Sequence, residues 1–433
     1  MTLQRQVYGQ EVAETQLDSG LTVVLLKKPG FTQQFAAFAT HYGGMDTSFL
    51  AAGEQKVTHV PDGIAHFLEH KLFEEPDGTD VSQQFSQLGM TSNAYTGPYY
   101  TVYYFSTADH FNAGLNILLN FVQTPWFTDA TVAKEQGIIE QEIRTGLDNP
   151  LRTAYFNMLE SMYHYHPVRI RVEGTVESIN RITKELLYQC HDTFYHPGNM
   201  MLVATGDLDF KAIEEQVRRD QAGRNYQRRD AVARVIPTEP PSVVRTEIAV
   251  EMKVSRPRVL MGFKHDAPPT GASRDYQKQL IAANLALSAV LGRITPNYWR
   301  LYEKGVLTEG FRFGYSAYPG AGFVWIDGES EDADSLVDAV TQELWRAKEQ
   351  GIHPDNFEAA RRQEIGSFLS VLDNPEQFAG TFITHRFNGL DFLANPELLS
   401  EVSLDDGQDF LQQLIRDDNR VVSLVEPLKG GVD

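Results

Sequence analysis

Asp62-Gly63-Ile64-Ala65-His66-Phe67-Leu68-Glu69-His70-Lys71-Leu72-Phe73 is the stretch around which the chain is organised. Pro61 and Asp62 predict a helix start, with Asp62 as its N-cap. On that helix His66 and His70 stand one turn apart, about 40° from each other around the axis. Two imidazoles so placed suit one metal ion. Phe67 and Leu68 point elsewhere, as core residues do. Glu69 lies beside the histidine face but not in line with it. That suits a carboxylate that works on a metal-bound water and does not ligate the metal. The rival reading of these residues alone is a helix with two surface histidines.

A third ligand is sought downstream. Residues 129–146 predict a helix whose Val132, Ile138, Ile139 and Ile143 cluster on one face. Glu135 and Glu142, seven residues apart, fall on that same face. Glu140 points nearly opposite, with Gln141 and Arg144, into solvent. Carboxylates on a buried face are costly unless paired or metal-bound. Glu142 or Glu135 is therefore the missing ligand. The rival reading is a wide helix face with exposed glutamates.

Composition narrows the class. A chain of 433 residues exceeds one ordinary core, so two domains or more are expected. Apolar content of 42% beside 22% charged residues is that of a folded protein. The formal net charge of −20 argues against nucleic acid as a partner. The single cysteine, Cys190, excludes an internal disulfide framework and a thiolate zinc site. It suits a reducing, cytoplasmic setting, and reads as a packing residue. Neither a signal peptide nor a membrane-spanning stretch is expected.

Taken in order, residues 21–26 and 34–42 predict strands, and 80–87 a helix. The aromatic, β-branched run 93–106 predicts a strand pair, or one strand bulged at Gly97-Pro98. Pro98 marks an exposed edge, and an edge offers backbone groups to an extended peptide. An ordinary covering hairpin is the alternative. Helices follow at 110–123 and beyond, then a strand at 200–207. Residues 218–234 are arginine-rich and lead into Ile236-Pro237-Thr238-Glu239-Pro240-Pro241, which predicts a solvated connector. After it the organisation repeats. Leu147-Asp148-Asn149-Pro150 recurs as Leu372-Asp373-Asn374-Pro375. The same offset carries Glu142 to Ser367 and Glu135 to Ala360, and residues 282–292 hold no histidine. An internal duplication is expected, with the polar site kept only in the first copy. The expected domains are 1–220, which keeps the polar site, and 245–433, homologous and without it, joined by a linker at 221–244.

With these segments in hand, the chain resembles the pitrilysin, or insulinase, family of zinc metallopeptidases, in its short-chain branch of processing-peptidase-like proteins. The resemblance runs through His66-Phe67-Leu68-Glu69-His70, the segment Lys134-Glu135-Gln136-Gly137-Ile138-Ile139-Glu140-Gln141-Glu142, and Gly174-Thr175-Val176-Glu177-Ser178-Ile179. It continues through Tyr195-His196-Pro197-Gly198-Asn199-Met200 and Gly206-Asp207. The order His-x-x-Glu-His reverses the commoner zinc-protease motif and is a catalytic pattern in its own right. The resemblance implies an α+β (α/β) fold of two duplicated domains, each a mostly antiparallel sheet with helices on one face. It implies one Zn2+ per chain on His66, His70 and Glu142, with Glu69 as general base. Glu135 becomes a supporting acid that steadies a ligating histidine. Asn93, Ala94, Tyr95 and Thr96 match the strand that pairs with substrate backbone. The family's substrate-holding Arg and Tyr, the latter in a Gly-Leu-x-Tyr setting, have no match in register within Tyr302-Glu303-Lys304-Gly305-Val306-Leu307-Thr308-Glu309-Gly310-Phe311. Arg312 and Tyr315 are the nearby substitutes.

The implied function is a zinc endopeptidase that cleaves peptides or unstructured protein segments inside a chamber. The chamber would be made by a homodimer, or by a heterodimer with a related chain that lacks the motif. One alternative is a non-catalytic partner or assembly subunit. Such chains usually lose part of the motif, which here is complete. Another is a module that binds metal or peptide without hydrolysis.

Overall fold

The computed structural model describes residues 3–51, 54–224, 226, 229, 231–266, 268 and 273–429. It divides into two compact units. One comprises Met1–Ile143, Ile170–Val235 and Ser370–Phe387; the other comprises Arg144–Arg169, Ile236–Leu369 and Asn388–Asp433. Each unit thus takes a short segment from the other half of the chain.

The first unit holds strands β1 (Leu3–Val7), β2 (Gln10–Gln16), β3 (Thr22–Lys27), β4 (Gln34–Thr40), β5 (Ser48–Leu50), β6 (Val57–His59), β7 (Thr91–Thr96), β8 (Thr101–Thr107), β9 (Met200–Gly206) and β10 (Ala233–Arg234). Seven of them form one sheet in the order β1-β2-β3-β9-β4-β8-β7. Only the β3–β9 pairing is parallel. The second unit holds β11 (Glu247–Met252), β12 (Arg258–His265), β13 (Arg312–Tyr318), β14 (Ala321–Glu329) and β15 (Arg420–Pro427), in the order β11-β15-β12-β14-β13. Again a single pairing, β11–β15, is parallel. The order β3-β9-β4-β8-β7 is therefore repeated strand for strand. The duplication expected from a four-residue repeat is present in the topology itself.

Strand alternation builds the core. In β4, Ala36 and Phe38 join the main cluster with Leu115, Leu118 and Leu119 of the helix Phe111–Gln123. Phe35, Ala37 and Ala39 point the other way and are also buried. The helix Pro375–Phe387, one of the exchanged segments, packs on β4 and β9. In the second unit the helix Pro150–Met162 plays the same part. Gly262 of β12 leaves no room for a Cβ beside Met158 and Met162.

Several boundaries differ from expectation. The histidine helix begins at Ile64, not beside Asp62, and its N-cap is Gly63. The run 93–106 is a hairpin, β7 and β8, without a bulge. The polar strands β1 and β2 carry no apolar run and had no sequence signal. Three arginines of the expected connector are ion-paired: Arg224 to Asp220, Arg229 to Asp192, and Arg234 to Asp46 at 2.6 Å. Glu239 accepts from the backbone N–H groups of His164, Tyr165 and His166 and pairs with Lys264 at 2.9 Å. Residues 225, 227, 228 and 230 of that connector lie outside the described residues.

Candidate metal centre

The histidine helix α1 (Ile64–Leu72) is anchored at both faces. Phe67 and Leu68 are fully buried, worth roughly 1.5–3 kcal/mol each. At its start, Gly63 adopts φ 90°, and a Cβ there would lie 2.5 Å from the Glu173 carbonyl oxygen. The Ser178 hydroxyl donates to the Asp62 carbonyl at 2.7 Å. Ser178 itself is fixed by a capping box with Thr175. The segment Gly174-Thr175-Val176-Glu177-Ser178-Ile179 thus sets where α1 begins, and so where its histidines point.

The helix α2 (Ser82–Gln87) and the helix α3 (Phe111–Gln123) flank this unit's core, and α4 (Asp129–Leu147) delivers the glutamates. Its core stripe is Val132, Ile139 and Ile143, all buried. Glu135 and Glu142 lie on an adjacent stripe with Ile138, which is 47% exposed. Ile138 was expected in the core. It is exposed beside Glu142, whereas Ile139, with the mirrored spacing to the two glutamates, is fully buried. Glu140, expected in solvent, is half-buried.

His66 Nε2 lies 3.6 Å from Glu142 Oε1, and His70 Nε2 lies 3.7 Å from Glu142 Oε2. Among the described residues these three form the only cluster that could hold a metal, with donor atoms within 4.8 Å of one another. Zinc with bonds near 2.0–2.1 Å separates tetrahedral ligand atoms by about 3.4 Å, so a bound ion would draw the widest-spaced donors closer. Two imidazole nitrogens and one carboxylate oxygen also suit zinc, leaving a fourth position open. Glu135 does not join the cluster. Its Oε1 accepts from His70 Nδ1 at 3.0 Å. A carboxylate can only accept, so Nδ1 carries the hydrogen and Nε2 keeps its lone pair for a metal. Burial acts to lower the His70 pKa, but the Glu135 hydrogen bond and charge, with Glu69 and Glu142, leave it raised.

Glu69 is buried, and burial pushes its carboxyl above the ordinary range despite a hydrogen bond from Thr96. Thr96 closes β7, the edge strand of its sheet. Asn93 and Tyr95 face outward, while Ala94 and Thr96 are half-buried. No other strand among the described residues pairs with the outer side of β7. Glu69, His70, Phe73, Asn93, Glu135 and Ile138 line one groove of about 430 Å³. Phe73 and Ile138 supply its apolar surface. Sequence reading overlooked both because each matches a core pattern.

Arg312 and Tyr315 stand on β13 of the second unit. Arg312 pairs with the buried Asp327 at 2.8 Å, and the Tyr315 hydroxyl lies 2.6 Å from His265 Nδ1. Cys190 is fully buried, and burial pushes its thiol up to about 12, as fits a packing residue. No helix among the described residues is long and apolar enough to cross a membrane.

A family model described as insulinase (peptidase family M16) matches residues 51–176, and one described as peptidase M16 inactive domain matches residues 181–364. The chain is 41% identical over 425 residues to a Bacillus subtilis (strain 168) protein named uncharacterized zinc protease YmfH, covering 98% of this chain and 97% of that one. It is similar to the crystal structure of an M16-like peptidase from Alicyclobacillus acidocaldarius, with 36% identity, 99% coverage of both chains and a TM-score of 0.92. A protease from Helicobacter pylori shares the fold, with a TM-score of 0.80 at 17% identity, covering 96% of this chain and all of that one. The chain belongs to the insulinase family, peptidase family M16.

Proposed function

We propose that this chain is a zinc-dependent endopeptidase that cleaves peptides or unstructured protein segments. The observation that carries the reading is the convergence of His66, His70 and Glu142 beside a buried Glu69 and an unpaired strand edge. Zinc held there supplies Lewis acidity, which polarises a scissile carbonyl and lowers the pKa of a water molecule toward neutrality. Glu69 is the general base. Thr96 occupies its Oε2, so the proton it takes rides on Oε1 and passes to the leaving amine. Glu135 orients His70 through Nδ1. Asn93, Ala94, Tyr95 and Thr96 offer backbone groups to an extended substrate, which favours unfolded segments over folded ones.

Arg312 and Tyr315 are proposed to hold substrate from the second unit. Arg258 also pairs with Asp327 at 2.8 Å, so Arg312 can turn to a peptide without orphaning that buried carboxylate. In this reading 1–220 is the catalytic domain, 221–244 the connector and 245–433 the metal-free copy. One zinc binds per chain. The working form is a dimer, with a second copy or with a related chain lacking the motif, enclosing a chamber around the site. The lone, buried Cys190 fits a reducing, cytoplasmic setting.

The second reading, a non-catalytic assembly subunit, draws on the match of residues 181–364 to a domain described as inactive. Incubating the zinc-loaded chain with a quenched, unstructured peptide, with and without chelator, separates the two. Chelator-sensitive cleavage supports the peptidase; its absence supports the subunit.

A further inference from the structure

Thr96 was assigned above for its backbone. Its side chain does something else. Thr96 and Thr101 are directly opposed across the β7–β8 hairpin. Opposed threonines in an antiparallel pair face the same side and hydrogen-bond. Their hydroxyl oxygens are 3.2 Å apart, and the Thr96 hydroxyl donates to Glu69 Oε2 at 2.6 Å. Thr101 is fully buried and donates to the Tyr42 carbonyl at 2.9 Å. Behind it, the hydroxyl of Tyr195 lies 2.8 Å from the hydroxyl of Tyr103. Tyr195 and Tyr103 are both buried. The Thr96 hydroxyl thus stands between the buried Thr101 and the back of Glu69.

We infer that Thr96 is a positioning residue for Glu69: its hydroxyl, packed against Thr101, fixes one carboxylate oxygen and leaves the other for proton transfer. This rests on Glu69 being the general base. The argument is one of geometry and satisfaction. A glutamate has three side-chain torsions, and each buried lone pair left without a donor is costly. Among the described hydrogen bonds, Thr96 is the donor to Glu69. Valine at position 96 has nearly the same shape and the same strand preference, but no hydroxyl. Serine keeps the hydroxyl.

The test uses crystal structures and kinetics of the full chain as wild type, Thr96→Val and Thr96→Ser. In the metal-free crystals the Glu69 carboxylate should keep one position in wild type and Thr96→Ser, and spread or move in Thr96→Val. This readout does not depend on any activity. With zinc restored, kcat of Thr96→Val on the quenched peptide should fall about 10- to 100-fold, the worth of a hydrogen bond to a charged group, with KM within about twofold and zinc content unchanged. Thr96→Ser should recover most of the loss. A Glu69 carboxylate that stays in place in Thr96→Val overturns the inference. So does a loss confined to KM, or a serine variant as poor as the valine one. A wild type with an ordered Glu69 and no cleavage would instead count against the peptidase reading and leave the positioning role standing.

Discussion

His70 Nδ1 donates to Glu135 Oε1 at 3.0 Å, while His70 Nε2 faces Glu142 at 3.7 Å. Glu135 and Glu142 of α4 therefore take opposite edges of one imidazole. Their roles separate on substitution. Glu135→Gln keeps a group able to accept from Nδ1–H but removes the charge, and should weaken zinc binding about 10- to 100-fold while leaving a stoichiometric site at saturating metal. Competition with a chromogenic chelator measures this.

Glu142→Ala and His70→Ala should each remove a donor atom and abolish stoichiometric zinc, whereas Glu140→Ala should retain about one zinc per chain. Elemental analysis after dialysis decides. Zinc retained in His70→Ala would refute the ligand set.

The candidate site was legible in part: helical spacing aligns His66 with His70 and Glu135 with Glu142, but leaves either glutamate as the third ligand. What periodicity cannot carry is the choice between adjacent stripes of one helix. Ile138 reads as core beside Ile139, yet it lines the groove at 47% exposure. The start of α1 was misplaced for a different reason. Asp62 is a good N-cap by residue type, but the chain needs φ 90° at Gly63 so that Glu173 and Gly174 can approach. That contact spans more than a hundred residues and has no local signature. Strands β1 and β2 were missed because a strand with few buried positions reads as polar. The exchange of the segments around Pro150–Met162 and Pro375–Phe387 between units is likewise a tertiary outcome.

Gly63→Ala tests the anchoring of α1. A left-handed alanine costs about 1–2 kcal/mol, and its Cβ would meet the Glu173 oxygen at 2.5 Å. The variant should lose at least about 2 kcal/mol of stability and bind zinc more weakly, as read by urea unfolding and metal titration. Gly137 offers a control, since a Cβ there meets nothing within 4 Å.

Acid sensitivity should pass through His191. It is buried, stacks on Tyr195 with ring centroids 4.6 Å apart, and its Nε2 meets the Val122 carbonyl at 3.0 Å. Burial lowers its pKa from 6.5 to about 4. The unfolded chain therefore binds a proton at higher pH than the folded one. The stability held by a neutral His191 is present above pH 6.5 and is lost as pH falls toward 4. The loss is on the order of 3 kcal/mol. In metal-free protein, His191→Gln should flatten the pH dependence of urea unfolding over that window. An unchanged slope would place the acid sensitivity elsewhere.

The central claim is that Glu69 does chemistry at a metal held by its neighbours. The most direct measurement is cleavage of a quenched, unstructured peptide by zinc-loaded wild type and Glu69→Gln, with zinc content determined on the same samples. The account predicts equal zinc in both proteins, chelator-sensitive cleavage by wild type, and a loss of at least about a hundredfold in the variant. Equal cleavage by the two proteins at equal zinc content would contradict it.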